Sequence, residues 1–227
     1  MKKIPLLLKT ILFSVFFISC SSSHQLNTTT YESKKVVEAK NGAVVSAHAL
    51  ASEVGLQILK DGGNAVDAAI ATQLALAVVY PAAGNIGGGG FSVIHLKDGR
   101  NITIDYRETA PGAAFRDMYL DKDGNPLLDL SQNGHLAAGV PGTIAGLFEC
   151  MKYASLPFKK LISPAIMLAE KGFGLTASEA ASLNYTKNDF IKMNTVTPVF
   201  VKSTPWKAGD ILVQKDLAKT LRLIRDN

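Results

Sequence analysis

Residues 62–79, with the sequence GGNAVDAAIATQLALAVV, decide the fold of this chain. The two glycines are a typical helix stop, and Asn64 is a favourable N-cap for the helix that follows. From residue 65 to residue 79 the sequence is apolar on nearly every side, which predicts a helix buried within the protein. Its alanine-rich surface also allows close approach to a sheet.

The residues on the N-terminal side predict two further elements. Residues 43–47 form a short apolar run that favours a strand. Between residues 49 and 59, apolar side chains recur at helical spacing. These side chains are Leu50, Val54, Ile58 and Leu59. A helix is therefore predicted immediately before the two glycines.

On the C-terminal side, the run GNIGGGG occupies residues 84–90. Phosphate-binding loops also use glycines, but there the glycines follow a strand and begin a helix, so that the helix N-terminus faces the anion. Here a helix precedes the glycines and a strand pattern follows them. The residues alone therefore favour a tight turn with close backbone packing over a phosphate site.

A β-hairpin is predicted after the glycines. Its strands are residues 91–96 and 101–106, and Asp98-Gly99 between them favours a tight turn. Along the second strand apolar and polar residues alternate. One face of this strand is therefore predicted to be apolar and the other polar.

Arg107 follows the second strand on its polar face. The planar guanidinium of arginine can bind a carboxylate through two parallel hydrogen bonds, which lysine cannot do. The position, where the chain changes direction after a strand, is one at which binding sites are commonly built. The alternative is a surface ion pair with Asp105 or Glu108, of a kind that is frequent and contributes little energy.

Beyond the hairpin the sequence predicts mostly helices. A turn at residues 121–126 is followed by four helical patterns, at residues 141–154, 157–171, 176–188 and 214–224. The order of strand, helices, hairpin and helices predicts a layered α+β fold rather than a regular parallel sheet. Because the last pattern lacks a stop signal, we expect the natural polypeptide to continue beyond it.

Residues 1–20 have the pattern of an export signal. Lysines near the start precede an apolar run that reaches residue 18. This run is shorter than the roughly 20 residues that a membrane span needs. Cys20 closes the run, and two alternatives remain for it, lipidation as in bacterial lipoproteins or ordinary cleavage nearby. Residues 21–40 are polar and are predicted to form a tether.

Composition argues against several classes of function. Lys2, Lys3 and Lys9 lie in the signal, so 21 of the 24 basic residues remain against 19 acidic ones, and no cluster predicts a nucleic-acid partner. Cys150 lies in an apolar helical pattern, which favours a buried side chain over a nucleophile. The histidines have no metal-ligand spacing, and we expect each to be structural or solvent-facing. They are His24, His48, His95 and His135.

Five stretches, in order and together spanning much of the chain, resemble the large subunit of γ-glutamyltranspeptidases. They are GAVVSAH at 42–48, GGNAVDAA at 62–69, GNIGGGGF at 84–91, DYRETAP at 105–111 and GVPGT at 139–143. The resemblance covers most of residues 40–227. It implies the domain order of a signal at 1–20, a tether at 21–40 and a partial large-subunit domain at 41–227.

The resemblance also implies a fold, an activity and a partner. The fold is the four-layer αββα sandwich of N-terminal-nucleophile hydrolases, incomplete in this chain. The activity is that of a γ-glutamyltransferase and glutathione hydrolase, which passes the glutamyl group of glutathione or another γ-glutamyl compound to water or an amino acceptor. The partner is a small subunit, cut from the same precursor, whose N-terminal threonine is the nucleophile. No cofactor or metal is implied, and the expected location is the periplasm or outer envelope.

Among the site residues of the family, the arginine that binds the glutamyl α-carboxylate falls on Arg107. No residue here matches the nucleophile, because the threonines at 28–30 lie in the polar tether with different neighbours. We therefore expect this chain to contain no catalytic residue and to be inactive alone. The alternative is a non-catalytic, envelope-anchored binding or scaffold protein built on a decayed transpeptidase body.

Overall fold

The computed structural model describes residues 26–32 and 36–227, in a mixed fold of helices and short strands. The predicted export signal at 1–20, with Cys20, lies outside the described residues. Short 3-10 turns lie at His135–Ala137 and Met151–Tyr153. The described elements, in chain order, are α1 Ala49–Lys60, α2 Ala65–Val79, β1 Phe91–His95, β2 Asn101–Asp105, α3 Leu128–Gln132, α4 Thr143–Cys150, α5 Phe158–Lys171, β3 Phe173–Gly174, α6 Ala177–Tyr185, α7 Lys187–Met193, β4 Ile211–Leu212 and α8 Lys215–Asp226.

Helix α2 is the centre of the hydrophobic core. It packs against both α1 and α5, and α8 packs against α5. Ile70, Leu74 and Val78 of α2 are almost completely buried. The prediction of a buried helix at residues 65–79 is therefore confirmed. Among the described residues, no helix combines the length and the hydrophobicity that crossing a membrane requires.

The connection between α1 and α2 is determined by the residues within it, Gly62, Gly63 and Asn64. Gly62 has a φ of +90°, and the N–H groups of Gly62 and Gly63 donate to carbonyls in the last turn of α1. This pattern is a Schellman ending, in which glycine adopts the left-handed conformation without strain. Asn64 then caps α2, and its side-chain oxygen accepts N–H groups of the first turn. Both predicted boundaries are confirmed.

Asp67 joins the start of α2 to the loop before α5. Its side chain is fully buried, and its two carboxylate oxygens accept backbone hydrogen bonds from Asn64 at 2.7 Å, Ser155 at 3.1 Å and Leu156 at 3.0 Å. Burial of a carboxylate is costly unless hydrogen bonds replace its hydration. These donors therefore make the buried charge tolerable and fix the loop in place.

Gln214 makes a similar connection at the other end of α2. It is buried, its side-chain amide donates to the Val78 carbonyl at 2.7 Å, and its backbone N–H donates to the Ala169 carbonyl at 2.8 Å. The Val78 carbonyl belongs to the last turn of α2, where no intrahelical partner exists. One residue just before α8 therefore satisfies the end of α2 with its side chain and holds α5 with its backbone N–H.

The hairpin of β1 and β2 forms as predicted. The strands are antiparallel, with Phe91 opposite Asp105. The Leu96 N–H donates to the Arg100 carbonyl, so the loop has three residues, and Gly99 within it has a φ of +87°. A three-residue loop with glycine in the left-handed region is a common hairpin geometry.

The two faces of the hairpin differ in burial, and on β2 the polar side chains face outward as predicted. Ile94 and Ile104 pack against the core. On the opposite face, Phe91 is 63% exposed and Val93 is 81% exposed. Large apolar side chains are therefore presented on the outer face of β1.

Several segments differ from the sequence prediction. Residues 43–47 form no strand, and Val45 is 92% exposed, because no described strand pairs with this segment. The two-residue pair of β3 and β4 was not predicted, since it joins segments far apart in sequence. Helices α3 and α7 were also missed, and each is short and has no buried side chain.

Candidate active-site surface

Arg107 lies two residues beyond the end of β2, where its backbone is held from both sides. The Tyr106 N–H donates to the Gly90 carbonyl at 3.0 Å, which continues the hairpin pairing. After Arg107, Thr109 and Val140 exchange two backbone hydrogen bonds of 3.2 and 2.8 Å. The backbone that carries the guanidinium is therefore fixed by two neighbouring segments.

Glycines make the close contacts around this strand end possible. A Cβ atom on Gly89 would lie 2.5 Å from the Tyr106 carbonyl oxygen and 2.8 Å from Arg107 Cα. A Cβ atom on Gly142 would lie only 2.1 Å from the same carbonyl oxygen. Side chains cannot approach so closely, so only glycine fits at either position. The interpretation of residues 84–90 as a site of close backbone packing is confirmed.

Asn85 and Thr143 connect the glycine run to the start of α4. The Asn85 Oδ1 atom accepts a hydrogen bond from the Gly88 N–H at 2.8 Å and one from the Thr143 hydroxyl at 3.0 Å. The Gly88 carbonyl accepts from the N–H groups of Gly142 and Thr143 at 2.8 and 3.0 Å. Neither Asn85 nor Thr143 was predicted to be a site residue, although Asn85 lies in the motif at 84–91 and Thr143 in the motif at 139–143.

The Arg107 side chain lies at the surface and is 61% exposed. Its Nε donates to Glu108 Oε2 at 2.9 Å, and the guanidinium carbon lies 5.7 Å from the centroid of the Phe91 ring. The alternative prediction, a surface ion pair of Arg107, is thus confirmed, and its partner is Glu108. Because a guanidinium has five N–H donors, an ion pair through Nε does not prevent it from binding a second carboxylate.

Glu108 is a stable negative charge beside this guanidinium. A hydrogen bond from its own backbone N–H, followed by one from the Arg107 side chain, holds the pKa of Glu108 below its usual value. On the other side, the Arg107 N–H donates to Asp105 Oδ1 at 2.9 Å. Arg107 therefore lies between two carboxylates, those of Asp105 and Glu108, and is not part of a basic patch.

Two clefts flank α2. One, of about 1030 Å³, lies between residues 39–46 and the pair α1 and α2. The other, of about 380 Å³, lies between α2 and the hairpin, with Gln73, Tyr106 and Cys150 in its wall. Arg107 lies on the surface outside both clefts.

A second polar cluster surrounds His48, at the start of α1. The His48 Nδ1 accepts the N–H of the second residue of α1, and its Nε2 lies 2.9 Å from Glu179 Oε1. The Tyr31 hydroxyl donates to the Gly174 carbonyl at 3.0 Å. Burial raises the pKa of Glu179, but hydrogen bonds from His48 and Thr176 outweigh it and lower the pKa overall. These contacts join three segments, which indicates the structural role predicted for this histidine.

The remaining candidates are dispersed. Within residues 26–32 and 36–227, no three histidine, cysteine, aspartate or glutamate side chains are grouped so as to hold a metal ion. Cys150 is buried, as predicted, and its Sγ lies 3.5 Å from Ser92 Oγ. His95 and His135 are exposed. The possible lipidation site Cys20 and His24 lie outside the described residues.

Comparison with known proteins finds relatives over most of the chain. The family described as Gamma-glutamyltranspeptidase matches residues 51–227. The "Glutathione hydrolase proenzyme" of Pseudomonas sp. (strain A14) is 50% identical over 215 residues, which is 93% of this chain and 37% of that protein. The protein of the same name from Escherichia coli (strain K12) is 46% identical over 194 residues, 84% of this chain and 33% of that protein.

A solved structure is similar over the same region. The crystal structure of Helicobacter pylori gamma-glutamyltranspeptidase matches with a TM-score of 0.80 and 49% identity, covering 84% of this chain and 55% of that chain. The present chain spans about a third of the length of the curated relatives named above. The likeness therefore concerns one portion of those proteins.

Proposed function

Because this chain belongs to the γ-glutamyltranspeptidase family, we propose that the complete protein is a γ-glutamyltransferase and glutathione hydrolase. Its substrate would be glutathione or another γ-glutamyl compound, and the acceptor would be water or an amine. The names of the two relatives, both glutathione hydrolase proenzymes, support an enzyme over the alternative of a non-catalytic scaffold.

Arg107 carries the structural part of this proposal. The free α-carboxylate of a γ-glutamyl group is a planar anion, and a guanidinium matches it with two parallel N–H donors. The backbone of Arg107 is fixed on both sides, whereas its side chain is largely exposed. A rigid backbone with an accessible guanidinium is suited to holding the donor in one orientation.

The reaction itself would be performed by groups outside this chain. In the proposed mechanism, the N-terminal threonine of a small subunit attacks the γ-glutamyl carbonyl, with its own α-amine as general base. The amide C–N bond breaks, the leaving amine takes up a proton, and a glutamyl ester forms. Water or an amine then releases the glutamyl group. Arg107 would orient the donor, which contributes to the rate through positioning.

A small subunit would also supply the strands that complete the four-layer sandwich. Phe91 and Val93 on the outer face of the hairpin and the unpaired segment at residues 43–47 are apolar surfaces without a cover in the described residues. Further strands of a four-layer αββα sandwich, from a small subunit cut from the same precursor, would pair with and bury them. Residues 41–227 would then be the partial large-subunit domain, inactive by itself.

The proposal extends to the location of the protein. Residues 1–20 would direct export, with residues 21–40 as a tether, to the periplasm or outer envelope. Membrane contact would be limited to the signal or to a lipid on Cys20. Mass spectrometry of the exported protein distinguishes a lipidated Cys20 from ordinary cleavage nearby.

The substitution Arg107→Ala in the complete protein tests the proposed role. Because the guanidinium is largely exposed in this chain, we expect the lower end of the usual cost of removing one partner of a charge pair, about 2 kcal/mol, or about 30-fold in kcat/KM. The assay is the hydrolysis of a chromogenic γ-glutamyl anilide, with KM and kcat determined separately.

Arg100→Ala is the matched control. Arg100 directly follows the hairpin loop, is 66% exposed and forms an ion pair with Asp98 at 2.8 Å, so it has the same chemistry as Arg107 in a different place. We expect its kinetic constants to equal those of the unmodified protein. Equal constants for the Arg100 and Arg107 variants would show that the carboxylate is bound elsewhere.

A further inference from the structure

The hydrogen bond between Asn85 and Thr143 lies behind the strand end that carries Arg107. Thr143 is fully buried, and its hydroxyl donates to Asn85 Oδ1 at 3.0 Å. A buried hydroxyl without a partner would cost free energy, so this bond specifies how the two segments meet. One segment is the glycine run and the other is the start of α4.

These two segments enclose the backbone just before Arg107. Asn85 Oδ1 also holds the Gly88 N–H at 2.8 Å, and the Gly88 carbonyl in turn accepts the Gly142 N–H at 2.8 Å. Gly89 and Gly142 each stand so close to the Tyr106 carbonyl oxygen that a Cβ atom on either would overlap it. The Tyr106 carbonyl is therefore held between two segments that are joined by the Asn85–Thr143 bond and by backbone hydrogen bonds to the Gly88 carbonyl.

We propose that Asn85 and Thr143 are positioning residues for Arg107, acting through the two glycine segments that enclose the Tyr106 carbonyl. This inference rests on the proposed role of Arg107 in binding the donor carboxylate. Loss of the hydrogen bond lets the two segments separate, and the strand end shifts or fluctuates. A bidentate contact tolerates little displacement, because hydrogen bonds weaken steeply as their angles depart from linearity.

The test compares Thr143→Val with Thr143→Ser in the complete protein. Valine has nearly the shape of threonine but lacks the donor, whereas serine keeps the hydroxyl. With a chromogenic γ-glutamyl anilide, we expect Thr143→Val to raise KM about 5- to 20-fold with a smaller change in kcat. Thr143→Ser should keep KM within about 2-fold of the unmodified protein, since the hydrogen bond is retained.

Asn85 provides a second pair of variants, should Thr143→Val fail to fold. Asn85 is only partly buried, and Asn85→Ala removes the acceptor while Asn85→Asp keeps an oxygen in place. We expect Asn85→Ala to raise KM as Thr143→Val does, and Asn85→Asp to raise it less. An unchanged KM in the folded alanine variant overturns the inference.

A double substitution separates positioning from general stability. In an Arg107→Ala background, Thr143→Val should change KM by less than about 2-fold, because the residue through which it acts is absent. An equal effect in both backgrounds would mean a role independent of Arg107 and would overturn the inference. If Arg107→Ala alone leaves KM unchanged, the proposed role of Arg107 fails first. If only the Thr143 and Asn85 variants leave KM unchanged, the proposed function stands and this inference is wrong.

Discussion

The substitution Asp67→Asn tests how the buried carboxylate holds the start of α2. Oδ1 of Asp67 accepts the N–H groups of Ser155 and Leu156, and Oδ2 accepts those of Asn64 and Ser155. Asparagine has the same shape, so it leaves no cavity. It has only one acceptor oxygen, however, and its NH₂ group must face a backbone N–H in either orientation of the amide.

The expected cost follows from these contacts. At least one partly buried N–H loses its acceptor, which costs about 1–3 kcal/mol. Loss of the negative charge at the N-terminus of α2 adds about 0.3–1 kcal/mol. We therefore expect the free energy of unfolding to fall by about 1–4 kcal/mol. Amide hydrogen exchange at Ser155 and Leu156 should also accelerate, since their acceptor is weakened.

Urea unfolding of the complete protein, followed by circular dichroism, measures this difference. Asp216→Asn is the matched control, because Asp216 is an exposed aspartate in the first turn of α8. This variant should lose only the favourable interaction of a negative charge with the helix N-terminus, about 0.3–1 kcal/mol. Equal losses for the two variants, with unchanged exchange at Ser155, would refute the assignment of the buried hydrogen bonds as the source of stability.

Two further predictions concern packing and pH. Gly142→Ala places a Cβ atom 2.1 Å from the Tyr106 carbonyl oxygen and should lower the free energy of unfolding in urea by at least about 2 kcal/mol. Gly87→Ala is the control and should be nearly neutral, because no atom lies within 4 Å of the added Cβ. Similar losses for the two variants would contradict the close packing at Gly142. Because the folded pKa of Glu179 lies below its ordinary value in the unfolded chain, its stabilising contribution is present above that ordinary value and is lost as the pH falls through the folded pKa. The stability difference between the unmodified protein and Glu179→Gln should therefore shrink in acid, and a difference independent of pH would be evidence against the ionised contact.

Elements with a local cause were predictable from sequence. Asn64 and the glycines before it set the connection between α1 and α2 through short-range hydrogen bonds, and glycine in the hairpin loop did the same for β1 and β2. The pair of β3 and β4 has no such local signal. Its register depends on Phe173 meeting Leu212, a contact that only the assembled core creates. The apolar run at residues 43–47 shows the converse, since a strand pattern without a partner strand forms no strand.

The candidate site was predictable to a smaller extent. Arg107 could be singled out because a charged planar group at a strand end has a recognisable chemical use. Asn85 and Thr143 could not, because neither residue type signals a site and their hydrogen bond joins positions 58 apart in sequence. The sequence also left the partner of Arg107 open between Asp105 and Glu108. In the structure, the Arg107 side chain pairs with Glu108, whereas Asp105 accepts the backbone N–H of Arg107.

The double contact of Gln214 has a consequence for biosynthesis. Its side chain satisfies a carbonyl 136 positions earlier in the chain, at the end of the central helix. A ribosome therefore releases that helix long before the residue that completes its last turn has been translated. During this interval the nascent chain carries an unfinished apolar bundle, and its exposed apolar surface is prone to aggregation until α8 emerges.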